Sequence, residues 1–295
     1  MNVRDGLKKW RVFLLLALIL VLTGAALALV SDSYNYRAER FLYRTLQHNR
    51  SFLAMPETAS PALVAGIEKD LQALVRTYPR SGAVRNAQTV LAEFYLFNRR
   101  FDEALAQVDT LLRVYSRDRY IASTAQFLKG VAYEKEGKWE KARREYAILQ
   151  REYPETTSGM NVPVYIAQYY LSKKMTKEAA REYAYGAFFY RRLARQLQGT
   201  PRGYRARSLL MQVLACLNKY EEAGRVLEET IELYPGTQTY EQQLPNIETI
   251  YEKILKRPDQ VLALYKKIYG RMTDRKAKEA LQAKIARVQS RMRAP

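Results

Sequence analysis

Catalysis by side chains needs a nucleophile, a base and a group that orients them, and this sequence offers few of these. It has one His and one Cys, His48 and Cys216. Any Ser-His-Asp or Cys-His arrangement must use His48, which stands in the stretch LQHNRSFLAMPETASP, read as a linker, far from Cys216 in sequence. Cys216 lies in the apolar helical stretch LLMQVLACLNKY and reads as a small buried hydrophobe. A single Cys forms no intrachain disulfide and no paired-thiol metal site, and a single His rules out His-rich zinc sites and iron facial triads. The 13 glycines build no phosphate-cradling loop. Glu221/Glu222 and Glu228/Glu229 lie on helical faces that also carry Arg225, and they read as solvated charge, not as an acid–base couple. The expectation is a protein without catalytic residues, metal or cofactor.

What the chain does hold is a repeat. With 48% hydrophobic residues it can build a sizeable core, which excludes a wholly disordered chain. In residues 123–156, Gly130, Tyr133, Ala142, Tyr146 and Pro154 fall at positions 8, 11, 20, 24 and 32 of a 34-residue frame. The frame recurs with decay. In 85–118, Ala92, Tyr95, Phe101, Ala104 and Leu111 match, with Ser116 in place of the proline. In 160–193, Ala167, Tyr170, Ala179 and Tyr183 match, and the closing proline is missing. In 204–237, Tyr220, Ala223 and Tyr234-Pro235 match, with Met211 where glycine is expected. A segment near 48–81 keeps only its second half, and one near 242–275 places Val261 and Tyr265 at packing positions.

These residues resemble the tetratricopeptide (TPR) repeat, which implies an all-α array of antiparallel helix pairs. Small residues at positions 8 and 20 let paired helices approach, and aromatics such as Tyr133, Trp139 and Tyr146 fill the remaining space. The position-20 residues are Ile67, Ala104, Ala142, Ala179, Ala223 and Val261, so close packing is least secure in the two end repeats. Their successive gaps are 37, 38, 37, 44 and 38, and the 44 is ascribed to a loop at Gln198–Gly203. The closing phrases TYPRSG, EYPETT and LYPGT resemble those of extracytoplasmic TPR proteins of bacterial envelopes, implying a protein-binding scaffold.

In that family the working surface is the concave face lined by the first helix of each pair. Projecting its positions selects Asn86, Thr89 and Glu93, with Leu96; then Thr124, Phe127 and Val131, with Glu134. The next two repeats supply Val164, Tyr165 and Gln168, then Arg205, Ser208 and Gln212. This mixture suits a peptide or helix from another protein. The Lys/Asn clamp for a chaperone's C-terminal carboxylate is absent, with Thr89 and Glu93 in two of its places.

The charge is strongly basic, with 49 Lys+Arg against 30 Asp+Glu, a formal +19. A basic patch is read at Arg191, Arg192, Arg195, Arg202, Arg205 and Arg207. The tail 271–295 reads as a basic amphipathic helix that caps the last repeat, lies on anionic lipid or grips an acidic partner. No nucleic-acid recognition motif accompanies the basicity, so a nucleic-acid partner is not expected.

Residues Val12 to Val30 are uncharged, and as a helix would span about 28 Å, close to the hydrocarbon thickness of a membrane. Arg4, Lys8, Lys9 and Arg11 precede the run and place the N-terminus inside by the positive-inside rule, although Arg37, Arg40 and Arg44 weaken the asymmetry. Two readings stand: an uncleaved signal anchor, and a signal peptide cleaved near Ala26-Leu27-Ala28. The run continues through Leu29 and Val30, which favours the anchor. The expected organisation is a cytoplasmic segment 1–11, a transmembrane anchor 12–30, a juxtamembrane helix and linker 31–60, a TPR solenoid 61–270 and a basic helix 271–295. The expected function is a scaffold on the cytoplasmic membrane whose bulk lies outside the cytoplasm. The alternative is a tethered accessory that binds an anionic envelope polymer or lipid surface.

Overall fold

In the computed structural model, residues 16, 18–24, 33–54 and 60–293 are described, and among them the secondary structure is helical throughout. Helices follow in pairs: α1 (Tyr34–Ala54) and α2 (Pro61–Thr77), α3 (Ala83–Phe97) and α4 (Phe101–Val114), α5 (Arg119–Lys135) and α6 (Trp139–Glu152). Then come α7 (Thr157–Ser172) and α8 (Thr176–Gln196), and α9 (Pro201–Cys216) and α10 (Tyr220–Leu233). The last pair is α11 (Thr237–Ile247), which continues as a π-helical turn (Glu248–Ile254), and α12 (Pro258–Arg271), followed by α13 (Arg275–Arg293). The chain divides into two compact bodies, residues 1–148 and 149–295.

Local chemistry sets the helix limits. Asp118 caps α5 by accepting from the Tyr120 and Ile121 amides. Thr156 and Thr200 cap α7 and α9 alike: each hydroxyl accepts from the amide of the glycine three residues on, at 3.1 Å, and donates to a carbonyl of the preceding turn. Between the two helices of five successive pairs one residue takes the left-handed conformation: Arg99, Gly137, Lys174, Asn218 and Lys256. These residues are spaced like the position-20 residues, and only one of the five is glycine, the residue with no steric penalty there.

All six position-20 residues are buried, Ile67 and Val261 at 0% exposure as completely as the alanines between them. The end repeats therefore pack closely despite their larger side chains. At position 8 the tolerance is uneven. Met211 is buried in its repeat, but a Cβ on Gly130 would stand well inside contact distance of the Tyr146 ring. Tyr146 is itself fully buried, and its hydroxyl donates to Glu134 at 2.9 Å.

Several expectations are corrected. The stretch around His48 is not a linker: residues 46–54 continue α1, whose Ala38, Leu42 and Phe52 are buried, so the helix pairs start at Tyr34. Tyr34 packs edge-on against Tyr78 at 5.2 Å, which closes the first pair, and Phe52 packs against Phe97 of α3 at 5.0 Å. The 44-residue gap is not a loop insertion. Helix α8 has 21 residues where α4, α6 and α10 have 14, so the surplus is two further helical turns. Four of the other pairs end at a tyrosine, Tyr78, Tyr115, Tyr153 or Tyr234, whose amide donates back four residues, and the last ends likewise at Met272. At the same frame position α8 has Tyr190 followed by Arg191, and the helix runs on to Gln196; the missing proline does not by itself explain this, because α4 ends before Tyr115-Ser116 without one. The C-terminal basic helix does cap: Ala277, Leu281 and Val288 are buried, while Met292 is exposed.

Among the described residues no helix is long and apolar enough to cross a membrane. The expected span 12–30 lies largely outside them. Its described part, residues 16 and 18–24, is helical and exposed.

Candidate functional site

The first helices of the pairs carry the projected binding residues. In the N-terminal body, α3 packs on α5. Asn86 and Glu93 are exposed, and Thr89, Thr124, Phe127 and Val131 are half-buried. Glu93 is open to solvent, yet the protein around it desolvates the carboxyl and raises its pKa above the ordinary value. Phe127 leans on Tyr146 with ring centroids 5.8 Å apart, so its ring is held in place at this surface.

In the C-terminal body, Gln168, Arg205 and Gln212 are exposed and Tyr165 and Ser208 half-buried. Val164 is buried in the core beside Tyr183 and Tyr190, and this removes it from the proposed face. Its neighbour Tyr165 occupies the accessible position. Arg205 donates to Asn161 at 3.0 Å, tying neighbouring first helices together. Tyr204, next to Arg205, donates to Gln242 and accepts from Gln243, both at 2.7 Å.

The projected basic patch does not stay together. Arg191 and Arg195 lie on the extra turns of α8, where they meet Arg207 of α9 and Arg225 of α10 around a cleft of about 410 Å³. Arg192 and Arg202 are exposed and do not line it, and Arg205 belongs to the other face. Arg225, by its sequence context a companion of solvated carboxylates, completes the cleft with Glu222 and Glu229. Arg191 pairs with Glu222 at 3.0 Å and Arg207 with Glu229 at 2.9 Å. Arg207 is only 7% exposed, and its Nε has no hydrogen-bond partner. Keeping a cation buried and incompletely satisfied costs stability, as functional sites often do. The missing proline after Tyr190 is not enough to locate this cleft, since the repeat closing at Tyr115-Ser116 also lacks it and keeps a second helix of 14 residues.

His48 is exposed on α1. Cys216 is exposed at the end of α9, against the expectation of burial, because the final helical turn carries it out of the core. Its thiol still reaches Tyr183, whose hydroxyl pKa is pushed up to about 12, first by burial and then by Cys216. Among the described residues no group of His, Cys, Asp and Glu side chains could hold a metal ion.

The model of the tetratricopeptide repeat family matches residues 124–156. A crystal structure of a tetratricopeptide repeat protein from Parabacteroides merdae ATCC 43184 aligns with 16% identity over 85% of this chain and 88% of that one, with a TM-score of 0.35. No curated protein matches the chain.

Proposed function

The chain is a tetratricopeptide repeat protein, and from that premise we propose that it is a non-enzymatic scaffold that holds a segment of another protein against the first helices of its pairs. The observation that carries this reading is the exposed or half-exposed row from Asn86 to Val131, with Phe127 pre-positioned on Tyr146. Rigid aromatic anchors beside polar groups suit a peptide or helix more than a polar metabolite.

We place the scaffold at a bacterial cytoplasmic membrane, anchored by residues 12–30 with its repeats outside the cytoplasm. Leu16, Leu18, Ile19, Leu20, Val21 and Leu22 are each more than half exposed, a pattern that water disfavours and lipid accepts. The Thr23 hydroxyl donates back to the carbonyls of Ile19 and Leu20, so even the polar residue there brings no unmatched donor. If the anchor holds, the full-length chain stays with membranes through alkaline carbonate extraction and keeps its first residues. Release into the supernatant with a new N-terminus near residue 29 overturns it.

A photo-crosslinking amino acid placed at Asn86, Thr89 or Phe127 should trap one common partner in cells, whereas the same probe at Arg144 on a second helix should not. Loss of the adduct at Asn86 in a Phe127→Ala chain ties the positions together, and equal labelling from Arg144 removes the face from the proposal.

The arginine cleft favours a second reading, attachment of an anionic envelope polymer. Salt separates the two: polymer binding through several cations weakens steeply between low and moderate ionic strength, whereas face binding changes little.

A further inference from the structure

The C-terminal body holds another basic hollow, of about 560 Å³, separate from the arginine cleft. It is built where the π-helical turn Glu248–Ile254, α12 and α13 meet. A π-helix bonds each amide to the carbonyl five residues back, so residues four and five apart become neighbours on its surface. This brings Glu248, Glu252 and Lys253 to one wall. Such turns are rare and concentrate at functional sites. Here the turn follows Pro245, whose ring nitrogen has no hydrogen to donate to the helix.

The two carboxylates of the hollow are already engaged. Glu248 accepts from Lys284 at 2.6 Å and from the Tyr265 hydroxyl at 2.7 Å, and Glu252 pairs with Arg291. Burial pushes the Glu248 carboxyl up, but Lys284 and Tyr265 outweigh it and hold the group below the ordinary value, so at neutral pH it stays ionised and keeps Lys284 engaged. Three further cations line the hollow: Lys253, Lys256 and Arg287. All three are exposed, and none forms an ion pair among the described residues. Its floor is closed by Tyr265 and Val288, both buried.

We propose that this hollow binds the phosphate group of a small anionic ligand, of the pyrophosphate or phosphomonoester class, through Lys253, Lys256 and Arg287. Five cations against two engaged carboxylates leave a surplus that matches a phosphate di- or trianion. The donors come from the π turn, the segment after it and α13, and so converge from different sides. That arrangement fits a tetrahedral oxyanion better than a planar carboxylate, with the Arg287 fork able to take two oxygens and the lysines acting as point charges. The volume is that of a small-ligand site, about 300–1,000 Å³ in general. The phosphate could belong to a soluble molecule or to a lipid headgroup, and the recognition chemistry is the same.

The test titrates the full-length chain, in neutral detergent micelles at moderate salt, with inorganic pyrophosphate by calorimetry. A parallel arm adds phosphatidic acid to the micelles and asks whether it displaces pyrophosphate. Lys253→Glu with Arg287→Glu should weaken saturable binding at least tenfold, while Lys69→Glu with Arg76→Glu, the same charge change on α2, should leave it within twofold. Lys253→Gln with Lys256→Gln repeats the test without charge reversal, and matching melting curves show that the variants fold. Displacement by phosphatidic acid that disappears in the Lys253/Arg287 variant assigns the site to a headgroup; binding of pyrophosphate without such displacement assigns it to a soluble phosphate. Equal losses in hollow and α2 variants, or no saturable binding in either arm, overturn the proposal.

Discussion

Single side chains decide how tightly the helix pairs close. Gly130 lies under the Tyr146 ring, so Gly130→Ala should cost about 1–3 kcal/mol in urea denaturation, the usual price of overpacking. Arg207 behaves in the opposite sense. Its charge is buried while its partner Glu229 stays exposed, so Arg207→Met leaves no buried charge behind. The variant should melt at the same temperature as the parent or higher, and should lose affinity for anions at the arginine cleft. Glu93 predicts a pH effect. Its carboxyl pKa is raised in the folded state, so folding favours the protonated form. The associated stability is fully present below the unfolded value and is lost as pH rises through the folded one. Glu93→Gln should therefore raise the melting temperature at pH 7, with the gain shrinking toward pH 4. A constant gain at both values would assign the effect to something other than ionisation.

At the scale of elements, the turns inside the pairs and the length of α8 carry the consequences. A left-handed conformation costs a residue with a Cβ about 1–2 kcal/mol, yet Arg99, Lys174 and Lys256 adopt it. Lys174→Gly should stabilise the C-terminal body by about 0.5–1 kcal/mol, glycine's own entropy taking back part of the gain, and Gly137→Ala should destabilise its pair by a similar amount. Both are read from urea midpoints. The seven-residue extension of α8 brings Arg191 and Arg195 to Arg207 and Arg225. The hollow at the π turn has the same kind of origin, a departure from the repeat's regular helix in a repeat that still packs Val261 and Tyr265 correctly.

For the whole molecule the governing facts are the stacking of pairs and the surplus of positive charge. A helix pair cannot bury its own apolar face, so terminal repeats need a cover. Helix α13 covers the last pair with Leu281 and Val288, each worth about 1.5–3 kcal/mol when fully buried. A chain ending at residue 273 should lose several kcal/mol of stability and aggregate, as followed by denaturation and light scattering. A net charge of +19 draws acidic surfaces from a distance and raises association rates at low salt, whichever face then holds the partner.

The repeat and its packing positions were legible in the chain alone, because a small residue recurring about every 38 places has one economical explanation: two helices that must touch there. Which side chains share a cleft was not. Arg191, Arg195, Arg207 and Arg225 lie on three helices, and their meeting depends on how far α8 runs and how α9 and α10 pack beside it. Val164 entered the core and Cys216 left it because a helix turns about 100° per residue. One residue of phase, or the fraying of a last turn, therefore decides between burial and water, and that phase is set by the neighbouring helices, not by the residue's own type.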